Sequence, residues 1–206
     1  MKVSQRSGRR SQPGTANFCG MLFNRTVCAI LFAGLVLLTG CGAPFSNVFM
    51  GDSITAFWSV PGMNLGVPGN TTTEMLARYP AEVPRRGFHT FILLGGTNDI
   101  RYFVANDEVV ANIAKMASDA RSEGMNVVLC ELPPIYEDRF KHDPTVRALN
   151  ASIRQLAEAQ HYYLVDYYDP MIGHPEYFKD QLHPNAKGYD AMDAALVPVL
   201  KAIKGT

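Results

Sequence analysis

The sequence predicts an α/β protein, a parallel sheet of about five strands with helices on both faces: a three-layer α/β/α sandwich. Three observations carry this. Short apolar runs alternate with helix-period segments over about 160 residues. Two of those runs, HTFILLG (89–95) and NVVLCEL (126–132), are continuously apolar, as strands covered on both faces must be. No internal repeat or low-complexity linker interrupts the pattern. The balance of 47% apolar and 18% charged residues therefore describes one domain able to bury a core.

The strand candidates, in order, are NVFM (47–50), MNLG (63–66), the two continuous runs, and YYLVDY (162–167). Helical patterns lie between them. The segment 106–124 places Val109, Val110, Ile113, Met116, Ala117 and Ala120 on one stripe, and Gly124 stops it. The segment 143–160 aligns Val146, Leu149, Ile153, Leu156 and Ala157 behind an Asp143-Pro144 start. A last helix from Asn185 aligns Tyr189, Met192, Leu196, Leu200 and Ile203, with Pro198 as a potential kink.

Residues 1–40 stand apart from the domain, which spans 46–206 behind a short tether, 41–45. They hold Lys2, Arg6, Arg9, Arg10 and Arg25 and no acidic residue, and the 12-residue apolar stretch Val27 to Leu38 follows. That stretch is too short for a bilayer span of about 20 residues, so the segment is expected to be an export signal. LTGC (38–41) resembles the lipobox of bacterial lipoproteins, which implies that Cys41 is lipidated and anchors the mature chain to an envelope membrane. The residues alone also admit an exported protein cut at TGCGA, with Cys41 a spare thiol. Met21 offers a second possible start. Removal of 1–40 takes five of the 19 basic side chains and none of the 19 acidic ones, leaving 14 against 19 and a formal charge of −5. Such a body has no basic footprint for nucleic acid. Only Cys130 then remains inside the domain, so no intramolecular disulfide is expected.

In open parallel sheets function sits at the carboxyl ends of the strands. Here those ends are 51–55, 66–73, 95–102 and 167–184. Each has a plain structural reading: a helix cap at Asp52 or Ser53, a tight turn at Gly66, turn residues at Asn98 and Asp99, a solvated loop histidine at His183. Taken together they supply a complete chemistry. A nucleophilic hydroxyl needs a base, and the base needs an acid to fix its tautomer; Ser53, His183 and Asp180 fill those roles. The oxyanion of acyl transfer needs fixed donors, for which the Gly66 amide and the Asn98 carboxamide are the candidates.

Those four blocks, GDSIT at Ser53, Gly66, G-x-N-D at Gly96, Asn98 and Asp99, and D-x-x-H at Asp180 and His183, resemble in order the blocks of the SGNH hydrolase superfamily, the GDSL-type esterases and lipases. The resemblance covers about residues 46–204. It implies a flavodoxin-like sheet, catalysis by Ser53, His183 and Asp180, and an oxyanion hole made by Ser53 N–H, Gly66 and Asn98. It implies no metal and no cofactor, and a small-molecule ester as substrate.

Within that expectation Asp166 and Asp169 are weaker candidates for the triad acid, because Asp-x-x-His lets one short loop present both side chains. Phe57, Trp58, Arg101, Tyr102 and Tyr136 flank the catalytic loops, though each singly is expected to be packing or exposed surface. Glu131 reads as a loop carboxylate and Cys130 as a buried apolar group. Compact loops favour short acyl chains. The family's simple esters, lysophospholipids, thioesters and acetylated sugars are not separated by these blocks, nor is a hydrolase from an acyltransferase. A non-catalytic envelope lipoprotein binding a glycan or lipid is the alternative of another class.

Overall fold

The computed structural model describes residues 46–137 and 142–204; the expected signal, Cys41 and the tether lie outside the described residues. The elements are β1 (Asn47–Gly51), α1 (Ser53–Ala56), β2 (Met63–Gly66), α2 (Thr72–Glu82), β3 (Thr90–Leu94), α3 (Thr97–Arg101), α4 (Asn106–Ser122), β4 (Asn126–Cys130), α5 (Asp143–Gln160), β5 (Tyr163–Val165) and α6 (Ala186–Lys204). The strands form one sheet in the order β2-β1-β3-β4-β5, every pair parallel. The five strand expectations and the three long helices are met, with ends displaced by one or a few residues.

Alternation along the central strands divides the core in two. Val48 and Met50, Phe91 and Leu93, and Val127 and Leu129 pack on one face with Met75 and Tyr79 of α2, the α4 stripe and the α5 stripe. Phe49, Ile92, Leu94, Val128 and Cys130 point to the other face, against Ile54, Trp58, Met192 and Leu196. Strands β1 and β3 are buried throughout, whereas the edge strand β2 is only half-buried. This is the physical content of a continuous apolar run: a middle strand has no wet face.

Two helices were not expected: the short α3, over residues that read as a turn, and α2. The segment Thr72–Glu82 carries Pro80 inside and buries only Thr72, Met75 and Tyr79. A capping box starts it: Thr71 Oγ1 accepts from the Glu74 amide, and Glu74 Oε2 accepts from the Thr71 amide at 2.7 Å. That T-x-x-E signature was legible in the sequence, but the apolar stripe beside it is too thin to announce a helix. Helix α6 continues through Pro198, as its apolar stripe requires.

The sheet order reverses direction at β1, with β2 to one side and β3 to the other, so the connections leaving β1 and β3 go to opposite faces and open a crevice between their carboxyl ends. Helix α6 is clamped onto α1 beside it. Trp58 stacks on Tyr189 with ring centroids 6.1 Å apart and donates from Nε1 to Asp193 Oδ1 at 3.2 Å, while Tyr189 OH donates to Ile54 O at 3.0 Å. Trp58 also meets Phe49 and Tyr167 edge-on. Trp58→Ala is expected to cost about 3–5 kcal/mol of stability by opening this cavity; denaturant titration followed by circular dichroism measures it.

Candidate active site

Chain direction changes abruptly after β1. Asp52 is the N-cap of α1, and its Oδ1 accepts from the Ile54 amide at 2.9 Å. With the cap supplied by Asp52, the neighbouring hydroxyl is left for another partner. Ser53 Oγ lies 2.9 Å from His183 Nε2. His183 Nδ1 lies 2.8 Å from Asp180 Oδ2. With the Nδ1 proton held on Asp180, Nε2 is the acceptor for the Ser53 hydroxyl.

The Asp180–His183 turn is built by the aspartate itself. Asp180 Oδ1 accepts from the Leu182 amide at 2.8 Å and the His183 amide at 2.6 Å, leaving Oδ2 for the ring. Burial pushes this carboxyl up, but the bonds from the His183 amide, the His183 ring and the Leu182 amide outweigh it and hold Asp180 below the usual value. A bridge between Phe178 and Pro184 closes the loop behind it. The Phe57 ring meets the imidazole edge-on at 5.6 Å, and Lys179 Nζ sits 4.4 Å above Phe57.

The wall facing Ser53 comes from α3 and the loop before α2. Gly96 turns at φ 123, where a Cβ would lie 2.7 Å from Leu149 Cδ2, so the G-x-N-D turn needs a glycine there. Asn98 is buried, and its Nδ2 donates to Asn70 O at 3.0 Å while its Oδ1 accepts from Arg101 Nη1 at 3.2 Å. Asp99 holds the same loop: its carboxylate accepts from the Thr72 amide at 2.9 Å and from Thr72 Oγ1 at 2.6 Å. Arg78 ties in the strand ends, donating to Leu65 O at 2.6 Å, Gly51 O at 3.1 Å and Asn70 Oδ1 at 2.8 Å.

Gly66 is tied to both β2 and α1. Its amide donates to Asn64 Oδ1 at 2.8 Å, and a Cβ on it would lie 2.2 Å from Ala56 N. Its amide is engaged elsewhere, and its missing side chain serves the close approach of β2 to α1. Two other backbone N–H groups at the crevice, those of Ser53 and Gly69, donate to nothing among the described residues. Gly69 turns at φ 84 with open space where a Cβ would stand, one residue before the carbonyl held by Asn98. The P-G dipeptide before Asn70 was the readable sign of that turn.

Other candidates resolve into structure. Asp166 Oδ1 accepts from the Tyr168 amide at 2.7 Å and the Asp169 amide at 3.1 Å, so it folds its own loop. Glu131 lies in the connection just past β4, as expected, but it is buried: it is 1% exposed and both its oxygens bond Arg154, at 2.7 and 2.8 Å. Burial pushes the Cys130 thiol up to about 12, which leaves no thiolate to react. Trp58 and Tyr136 are core, and Phe57 and Tyr102 are exposed beside the crevice. Among the described residues no three His, Cys, Asp or Glu side chains gather to hold a metal ion.

Asp52 is fully buried, and among the described residues its Oδ2 makes no hydrogen bond of good geometry, with the Thr97 hydroxyl the side-chain donor that favours its charged form. Burial pushes its carboxyl from 3.8 up to about 6, against the opposing pull of the Ile54 amide. A buried acid with a raised value penalises the folded state only once charged. The penalty is absent below about pH 4, grows as the unfolded chain ionises, and is complete above about pH 6. Asp52→Asn is therefore expected to gain stability relative to the parent between pH 4 and 6, by up to about 3 kcal/mol, and to hold a constant difference above that. Urea titrations across pH 4–8 test it, and a difference independent of pH refutes it. Gly66→Ala is expected to displace α1, lowering both melting temperature and turnover, because the atom it strikes is backbone.

The family model described as GDSL-like lipase/acylhydrolase matches residues 49–191. The chain is 30% identical over 138 residues to esterase TesA of Pseudomonas aeruginosa, covering 54% of this chain and 69% of that protein. A GDSL-like lipase from Bacteroides thetaiotaomicron superposes with a TM-score of 0.71 at 28% identity, covering 76% of this chain and 87% of that one. A member of the lipolytic G-D-S-L family from Veillonella parvula shares the fold, with a TM-score of 0.67 at 23% identity over 75% of this chain and 97% of that one. With the α/β sheet, the GDSIT turn and the matched span in agreement, this chain belongs to the GDSL-like lipase/acylhydrolase family of the SGNH superfamily and is a serine ester hydrolase.

Proposed function

We propose that Ser53, His183 and Asp180 are the catalytic triad and that the enzyme cleaves small or short-acyl carboxylic esters through an acyl-enzyme. The observation that carries this is the unbroken chain from Ser53 Oγ to His183 Nε2 at 2.9 Å and from His183 Nδ1 to Asp180 Oδ2 at 2.8 Å. As Ser53 Oγ bonds to the ester carbonyl carbon, its proton passes to His183 Nε2 and the carbonyl π pair moves to oxygen. Asp180, already held as a carboxylate, stabilises the imidazolium. His183 then protonates the leaving alcohol as the C–O bond breaks. Water repeats the sequence against the acyl-enzyme and releases the acid.

The oxyanion is held by the Ser53 amide and the second N–H of Asn98 Nδ2, with the Gly69 amide in the place first expected of Gly66. What supports this is that these donors lack partners among the described residues, whereas Gly66 N–H is taken by Asn64. The short-acyl reading is supported by an open site: the Asp180 side chain is 48% exposed. Export and lipid anchoring at Cys41 in the bacterial envelope belong to the same proposal and rest on the LTGC tetrapeptide.

Ser53→Ala is expected to lower turnover of p-nitrophenyl acetate by several powers of ten and to abolish fluorophosphonate labelling without changing the circular dichroism spectrum. Asn98→Ala is expected to cost about a hundred- to a thousandfold in kcat. Full activity in Ser53→Ala would end the triad assignment. Incorporation of labelled palmitate in cells, lost in Cys41→Ala, tests the anchor separately.

A further inference from the structure

The geometry points to Arg101 as a positioning residue for catalysis: its guanidinium fixes which end of the Asn98 carboxamide faces the oxyanion. This rests on the oxyanion role proposed for Asn98. A primary amide has an acceptor end and a donor end of nearly equal shape, so its orientation is decided only by its partners. Two partners decide it here. Asn70 O accepts from Nδ2 at 3.0 Å, and Arg101 Nη1 donates to Oδ1 at 3.2 Å. In the reversed orientation an NH2 group would face the guanidinium and the amide oxygen would face a carbonyl oxygen, so both contacts would turn repulsive.

Of the two, Arg101 makes the charged contact. A cationic donor on Oδ1 draws electron density from the amide and strengthens the Nδ2–H bonds as donors. One of those N–H groups is taken by Asn70, and the other is left for the developing oxyanion. The arginine is itself anchored: Nε donates to Glu137 Oε2 at 2.9 Å, which keeps the Nη1 edge turned to Asn98. Arg101 lies three residues after Asn98 and Glu137 lies in the connection after β4, so Asn98, Arg101 and Glu137 form a relay leading out of the crevice. The Arg101 side chain is 34% exposed, as suits a group whose task is not core packing.

The test is steady-state kinetics on the full chain with p-nitrophenyl acetate. Arg101→Met is expected to lower kcat about ten- to a hundredfold, less than loss of the donor itself, with KM within about twofold and the melting temperature within a few degrees. In an Asn98→Ala background the same change is expected to do nothing further, because there is no amide left to orient. Should Arg101→Met unfold the protein, Glu137→Gln, which loosens the Nε anchor and leaves Nη1 in place, carries the test with a smaller loss in kcat.

Three results overturn the assignment. One is an unchanged kcat. Another is a rise in KM alone, which would make Arg101 a substrate contact. The third is an equal loss with and without Asn98, which would make its role merely structural. If instead Asn98→Ala by itself retains full activity, it is the oxyanion reading that fails.

Discussion

The hydrogen bond between Ser53 Oγ and His183 Nε2 joins side chains 130 positions apart, and most of the local architecture serves to make that distance bondable. A serine at the carboxyl end of β1 and a histidine just before α6 meet only if α6 lies against α1. The Trp58–Tyr189 stack and the Tyr189 bond to Ile54 O put it there. The sheet order then decides what stands opposite. Because the order reverses at β1, the loop after β3 brings Asn98 to the other wall of the same crevice. The side chains gathered at the crevice thus come from three separate connections, and rigidity has to be supplied between loops rather than within one element.

Buried carboxylates supply much of it, at a cost to stability. Asp52 and Asp99 are both fully buried, and burial raises the value of each. Asp52 caps the helix that carries Ser53, while Asp99 gathers the Thr72 amide and hydroxyl and so pins the Asn70 loop to α3. Each accepts hydrogen bonds from backbone that would otherwise be unpaired at the mouth of the crevice. A chain selected for stability alone would place apolar side chains there. Poorly compensated polarity beside Ser53, such as Asp52 Oδ2, is the sort of local conflict expected where geometry for chemistry outweighs packing.

Glycine at 66 shows how a motif position can be required by packing as well as by chemistry. No side chain fits at 66, because the backbone of α1 passes where a Cβ would be. The reason is packing, and the amide belongs to Asn64. Spacing within the motif tells that the chain must come close there. It does not tell which of its backbone groups is free.

By itself the sequence determined the class of fold, since hydrophobic periodicity is a local property that burial on one or two faces imposes directly. Strands β1, β3 and β4 announced themselves because middle strands have no polar face, and α4 and α5 because each offers one apolar stripe. Candidates for the reacting groups were legible as well, because acyl transfer needs a hydroxyl, a base, an acid and donors whatever the scaffold. Tertiary structure alone decided who bonds whom. That Glu131 pairs with Arg154, that Asp166 folds its own loop, that Arg101 reaches Asn98 while tethered to Glu137, and that α2 forms around Pro80 all depend on partners brought near by packing. A hydrogen bond is directional and short, so the identity of a residue fixes only what it can donate or accept, and the fold chooses the partner.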